Sequence, residues 1–428
     1  MTRINKKHES LLVIGLFVLT LIVSTVFRSI LPAGFRDNQS TDYLNHYEPV
    51  ARAILGGQGI TLKGEIATRY PPGFSILLAG AFRIGDLLNS GDETVLLAFQ
   101  LIFAGLSVVL VYALARLIWN PLLALIPALA WLTYPFFLWL TKQPNSEVPF
   151  IPFLYASLFL FLLAVLHKPR AWGLYLAAGL SIGATMLIRP SALGLGIIMG
   201  GLVLIIGSQE LAFRARFWAA GLILLGNLLA VLPWEASVYA RTGQVIPLSS
   251  GGAITIQDGL TFLAVPKEYR REVKIPDDVA ALMWTFHERR SEMVSTGDAA
   301  AVVVAEARRD PVAFLKLMAI KITRSWYGID SRIFELPTII IQITYLIFFL
   351  WGTAFAFRQG GNMRRMIGSN WLIVFYFWAM TVLVIPLFRY MLPVMGLLML
   401  ALPGVYLSLQ ARRRTLRSPV SRPVNSDY

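Results

Sequence analysis

The chain has 428 residues, of which 56% are hydrophobic and only 14% charged, with a mean hydropathy of +0.64. Soluble domains carry about a quarter charged residues, so the deficit excludes an ordinary soluble globular protein. The absence of cysteine excludes disulfides and thiolate metal sites, and the net charge of +14 reflects membrane topology rather than a nucleic-acid partner, since the basic residues lie between apolar runs or at the termini.

The first apolar run, Leu11 to Leu31, is longer than a signal-peptide core and lacks a clear small-x-small cleavage site. It reads as a retained span. Nine more spans are expected at 94–115, 121–140, 148–166, 171–188, 191–207, 217–239, 334–357, 369–387 and 390–409, each near the length that crosses a bilayer core. The fold class is therefore all-α and polytopic, with about ten transmembrane helices. Phe74 to Leu88 carries Arg83 and Asp86, charges that are costly inside lipid, and reads as a helix along the interface. Four histidines, His8, His46, His167 and His287, are too scattered for a His-rich metal cluster.

Charge sets the orientation. With ten spans and a cytoplasmic N-terminus, Arg116, Lys168/Arg170, Arg214/Arg216, Arg358/Arg364/Arg365 and the Arg412–Arg414 tail all fall inside, as the positive-inside rule requires. Counting 74–88 as a span moves the middle clusters outside or costs another span. Both termini are then cytoplasmic, in the inner (plasma) membrane. Residues 1–410 form one domain, with outer segments at 32–93 and 240–333. Within the second, Asp278 to Arg309 reads as surface helices. The Arg/Ser/Pro tail, 411–428, reads as disordered and basic.

The first outer loop concentrates polar chemistry. A short helix is expected from about Asp42, capped by Ser40, Thr41 or Asp42 and stopped at Gly56-Gly57. Arg69-Tyr70-Pro71-Pro72-Gly73-Phe74 then makes a rigid turn into an apolar helix. Asp42 has two readings: a helix cap, or a carboxylate at a cavity edge that takes a proton from a hydroxyl. Asp37 is the rival acid. Further along, Ser146-Glu147 lies at the outer end of span three, and Leu187-Ile188-Arg189-Pro190 ends span five. Leu232-Pro233-Trp234 with Tyr239-Ala240-Arg241 ends span seven. Lys321 to Tyr327 precedes span eight, and Arg389-Tyr390-Met391-Leu392-Pro393 opens span ten.

In that order and on one topological side, these motifs resemble the GT-C glycosyltransferases, among them the protein mannosyltransferases and the aminoarabinose transferases of lipid A. The resemblance covers roughly 10–410. It departs at two places: Asp42 is followed by Tyr43 where relatives often carry a second acid, and Arg241 stands where many carry an Arg-Asn pair. The resemblance implies a polyprenyl-phosphate sugar donor, an extracytoplasmic glycan, lipid or protein acceptor, and an inverting displacement with Asp42 as general base. The departing phosphate needs cations, and arginine binds phosphate through a two-pronged fork. Candidates are Arg189, Arg241, Lys321, Arg324 and Arg389. Of these, Arg189 and Arg389 sit against the positive-inside trend in short outer connections. An arginine there is read either as a phosphate ligand or as the partner of Glu147 or a headgroup. Tyr47, Tyr70, Trp326 and Tyr390 complete the expected substrate contacts, with Trp326 alternatively an interfacial belt residue.

No cofactor is required by these readings. Glu147 is taken as a helix-start capping residue, a second carboxylate near the sugar, or a divalent-cation site. Gly56-Gly57-Gln58-Gly59 lacks the strand and helix of a nucleotide loop. Competing classes are a transporter or lipid-linked sugar flippase, disfavoured because the notable charges cluster at outer ends rather than mid-span; a glycan ligase or polymerase; and an envelope scaffold.

Overall fold

The computed structural model describes residues 6–36, 39–207, 211–262, 275–329 and 334–417. Asp37 lies outside them. All ten expected spans are apolar helices, but length alone supports fewer crossings. Six helices are long and apolar enough: Lys7–Ile30, Asp92–Arg116, Glu147–His167, Phe213–Thr242, Glu335–Gln359 and Gly361–Leu383. Two bent pairs, Pro121–Leu132 with Pro135–Thr141 and Phe388–Met399 with Leu402–Arg413, raise the count to eight among the described residues. The expected spans at 171–188 and 191–207 are the shorter helices Trp172–Ile188 and Pro190–Ile206. Seventeen residues rise about 25 Å, short of a bilayer core of about 30 Å.

Packing explains how a short helix serves. Trp172–Ile188 packs against Phe213–Thr242, and small residues let the backbones touch. A Cβ on Gly179 would meet the Ile223 carbonyl oxygen at 2.1 Å, and one on Gly226 would meet that of Leu176 at 2.4 Å. Close approach through small residues is the usual basis of helix association in lipid, where burial of apolar surface gives little drive.

Two ends of the bundle can be told apart. At one, Glu9 receives Arg116 Nε at 2.5 Å, His167 Nε2 lies 2.9 Å from the Leu117 carbonyl, and Asn362 reaches the Leu166 carbonyl. At the other, Arg28 pairs with Glu93, and a Cβ on Gly73 would meet the Leu187 carbonyl oxygen at 2.5 Å. The tyrosine-proline-proline-glycine turn thus ends in glycine because the helix Gly73–Leu88 starts against the end of Trp172–Ile188. Gly73–Leu88 buries Phe74, Leu78 and Phe82, while Arg83 and Asp86 are exposed.

The segment between Phe213–Thr242 and Glu335–Gln359 has its own small core. Helices Gly252–Thr261, Asp277–Glu288, Thr296–Arg309 and Pro311–Arg324 close around Leu260, Met283, Phe286, Val302 and Leu317. Ser295 and Asp298 form a reciprocal capping box at the third of these. The tail departs from expectation: helix Leu402–Arg417 runs seven residues into the stretch read as disordered. Its Ala, Leu, Gln and Arg are good helix formers, and Pro419 lies just beyond. Arg412 sits over the Trp351 ring at 5.8 Å.

Candidate active site

The loop after the first span winds as a π-helix, Tyr43–Tyr47, before tightening into Glu48–Leu55. Such wide turns concentrate at functional sites. Asp42 occupies the N-cap position, yet its side chain makes no cap bond; Ser40 Oγ accepts from the Tyr43 amide instead, at 3.2 Å. The Asp42 carboxylate is turned to Tyr70, whose hydroxyl donates to Oδ1 at 2.8 Å. Burial first, then this carboxylate, pushes the Tyr70 phenol up to about 12, so it remains a donor. Helix capping, one of the two readings of Asp42, is therefore not its role here.

An aromatic group fixes this pair. Tyr70 stacks on Tyr47, with centroids 4.9 Å apart, and meets His46 edge-on at 4.9 Å; Phe74 closes on Tyr47 at 4.8 Å. His46 is 5% exposed, and burial, then Arg69, holds its pKa down to about 4 against the pull of Asp42. The folded value lies below the ordinary 6.5. The loop therefore keeps its full stability above about pH 6.5 and loses it as pH falls toward 4, because the unfolded chain takes up a proton that the folded chain refuses. Amide exchange over residues 43–55, corrected for intrinsic rate, should speed up progressively across that window, and His46→Phe should flatten the response. Protection independent of pH in the native protein would count against a buried neutral imidazole.

Tyr47 links the loop to the bundle. Its phenol is raised chiefly by burial; Arg189 opposes the shift, and Ser146 and Glu147 also face the group. Glu147, at the start of Glu147–His167, is 6% exposed. It receives Arg189 Nη1 on Oε2 at 2.8 Å and lies 3.8 Å from Arg389 Nε through Oε1. Arg189 also donates to Ser146 Oγ at 2.8 Å and lies over the Tyr390 ring at 5.4 Å. Arg389 donates to the Tyr390 hydroxyl at 3.1 Å and is 43% exposed. Asp42, Tyr47, Tyr70, Glu147, Arg189, Arg389 and Tyr390 thus form one connected group. Its two arginines exceed its inner carboxylate by one charge.

That arrangement corrects one reading of Glu147. Both its oxygens face guanidinium groups, which disfavours a divalent cation there, and Asn145 Oδ1, not Glu147, caps the Val148 amide at 3.0 Å. Among the described residues no three His, Asp or Glu side chains converge as a metal site.

The remaining candidates stand apart. Arg241 is exposed, and its Nη2 would lie 3.8 Å from a Cβ on Gly59. Arg324 is buried, paired with Glu335 and near the Phe262 ring. Trp326 meets Trp378 edge-on at 5.4 Å. Lys321 is fully buried, and burial depresses its pKa to about 7. It donates to the Val384 carbonyl at 3.0 Å. Gly259 packs against the same carbonyl, and Gly328 accepts from the Phe388 amide at 2.7 Å. These contacts tie Lys321 to the loop that carries Arg389.

The Pro233-Trp234 motif also has a positioning role that its sequence does not announce. Trp234 Nε1 donates to the Leu248 carbonyl at 3.0 Å, and Glu235 accepts from the Leu248 amide at 2.7 Å. Together they clamp Leu248 at φ 59, a left-handed conformation that costs a branched residue energy. Two residues on, the Ser250 amide donates to the Thr68 carbonyl at 2.8 Å, joining the segment after Phe213–Thr242 to the loop just before Tyr70.

The dolichyl-phosphate-mannose-protein mannosyltransferase family matches residues 54–234, a stretch that begins after Asp42 and includes Tyr70, Glu147 and Arg189. No curated protein matches the chain in sequence. Among solved structures, the apo oligosaccharyltransferase of Archaeoglobus fulgidus is similar with a TM-score of 0.54 at 13% identity, over 94% of this chain and 51% of that one. The same organism's AglB, in complex with an inhibitory peptide and a dolichol-phosphate, gives 0.54 at 14% identity, over 96% and 52%. ArnT from Cupriavidus metallidurans bound to undecaprenyl phosphate gives 0.42 at 14% identity, over 94% and 78%. The chain spans about half the length of the oligosaccharyltransferase. Over residues 54–234 the chain is thus similar to the dolichyl-phosphate-mannose-protein mannosyltransferase family, and in fold it is similar to the oligosaccharyltransferase of Archaeoglobus fulgidus.

Proposed function

We propose that the protein transfers a sugar from a polyprenyl-phosphate donor to a hydroxyl-bearing acceptor at the extracytoplasmic face of the inner membrane, with inversion. The observation that carries this reading is the continuity from the Asp42 carboxylate through Tyr70 and Tyr47 to the Arg189–Glu147–Arg389 group. A base and a cationic anion site stand at one end of the bundle, joined by rigid aromatic packing.

Each group then has a step. Asp42, its carboxylate plane fixed by Tyr70, takes the acceptor proton as the acceptor oxygen bonds to the anomeric carbon. The bond from that carbon to the phosphate oxygen breaks on the opposite face, and the lipid phosphate leaves with the electron pair. Arg389, partly exposed, and Arg189 stabilise the charge that develops on it. Glu147 holds the two guanidinium groups while cancelling only one of their charges, so the site still attracts an anion.

Mass spectrometry of envelope glycans and lipid carriers, with and without the gene, tests the reading. Loss of one saccharide substituent with accumulation of a carrier-linked sugar is expected. Unchanged glycans with altered solute uptake would favour a transporter instead.

A further inference from the structure

The end of the bundle opposite Asp42 carries positive charge that no step above uses. Helix Glu147–His167 starts at the arginine group and ends at His167. Asn362 donates to the Leu166 carbonyl at 3.4 Å, which places the turn from Glu335–Gln359 into Gly361–Leu383 at this remote end. Trp119 Nε1 donates to the Leu400 carbonyl at 2.9 Å, so Leu402–Arg417 leaves the bundle there too. Arg358, Arg364, Arg365, Arg412 and Arg413 lie on these segments. No Asp or Glu lies between residues 336 and 417. Among the described residues the carboxylate found at this end is Glu9, and Arg116 holds it at 2.5 Å.

Two of these arginines make a defined corner. Gly352 seats Leu402–Arg417 against Glu335–Gln359: a Cβ there would meet the Ala401 carbonyl oxygen at 2.1 Å. From that crossing the helix lays the Arg412 guanidinium over the Trp351 ring, a favourable cation–ring contact. Arg358 stands seven residues after Trp351, two turns and about 10 Å along the same face. Beside that face Ile343, Ile347, Leu350 and Phe357 are exposed, and their helical spacing makes one apolar stripe that ends at Arg358. The stripe is about 21 Å long, more than half of a bilayer core of about 30 Å, so it can line an acyl chain. Two exposed cations this close repel, and an anion between them relieves the repulsion. Arginine meets phosphate through its two-pronged fork. An apolar stripe running into two such cations matches an amphiphile with a phosphate head.

We propose that this corner binds the headgroup phosphate of an anionic phospholipid between Arg358 and Arg412, with an acyl chain along the stripe from Ile343 to Phe357. The site is independent of the transfer chemistry proposed above. Native mass spectrometry of the full chain in neutral detergent, supplied with phosphatidylglycerol and phosphatidylcholine of equal chain length, tests it. Phosphatidylglycerol should be retained in clear preference. Arg358→Gln with Arg412→Gln should lower its retention about tenfold or more, the size of one lost hydrogen bond between charged groups. Lys168→Gln with Arg170→Gln removes the same charge from exposed side chains at the same end and should change retention by less than about twofold, because bulk attraction is screened by salt. Neither pair strands a buried charge, so both variants should melt with the native protein in lipid-free detergent. Should the first pair unfold, Arg358→Gln alone carries the test, with a loss of about fivefold expected for one arginine. Equal retention of the two lipids, equal losses from the two pairs, or a bound polyprenyl phosphate in place of phospholipid would overturn the proposal. Displacement of phosphatidylglycerol by millimolar inorganic phosphate would do so as well, since it would mark a site for a soluble anion.

Discussion

Asp42→Asn should reduce transfer about a hundred- to ten-thousandfold, the range expected for loss of a general base, and should leave the protein in the membrane at normal yield. Asparagine has the shape of aspartate, and its carbonyl oxygen can still accept the Tyr70 hydrogen bond seen at 2.8 Å. The ring stack of Tyr70 on Tyr47 is untouched. What disappears is a group able to take a proton. Tyr70→Phe is the informative companion, because it keeps the stack and removes only the bond that orients the carboxylate. Its loss should be nearer tenfold, about 1.4 kcal/mol. Single-turnover transfer in proteoliposomes from a polyprenyl-phosphate sugar measures both. An Asp42→Asn protein within a few fold of native rate would remove Asp42 from the chemistry, whatever the cluster looks like.

The sequence made parts of this arrangement legible and concealed others for physical reasons. Apolar runs announce helices, because backbone groups in lipid must bond within their own segment; the helix that stops at Gly56-Gly57 follows from backbone freedom, with Gly57 at φ 74. The short hairpin of Thr61–Leu62 with Glu65–Ile66 turns on Lys63 and Gly64, both at positive φ, and a Lys-Gly pair is a faint signal for it. The partners of Arg189 were narrowed to Glu147 or a headgroup or substrate phosphate, and the structure gives Glu147 as the protein partner while leaving Arg389 half exposed. The burial of Lys321 could not be read from its neighbours. In the chain it stands beside Arg324 in a basic stretch at a membrane interface, which looks like a phosphate site; only tertiary packing puts its amine on the Val384 carbonyl, sixty-three residues away.

Arg189 tests whether the cationic group serves catalysis or only architecture, and a single substitution cannot answer. Arg189→Met leaves Glu147, 6% exposed, facing Arg389 alone at 3.8 Å. Stranding a buried charge costs about 3–5 kcal/mol, so the variant should lose thermal stability in detergent and accumulate poorly, with or without a catalytic role. The paired variant Glu147→Gln with Arg189→Met removes both charges and keeps the volume. Most of the stability should return, because replacing a buried ion pair by neutral groups is often close to neutral. Activity should not return: one of two cations facing the leaving phosphate is gone, and losses of about a hundred- to a thousandfold accompany removal of one such donor. Arg189→Lys refines the test. It retains the charge next to Glu147 but not the planar fork that reaches Ser146 Oγ and Glu147 together, so it should fold normally and transfer at an intermediate rate. If the paired variant proves both stable and active, Arg189 is a strut for Glu147, and the phosphate must be met by Arg389 with other groups. A stable, inactive protein with its donor accumulating in the membrane is the outcome that the geometry requires.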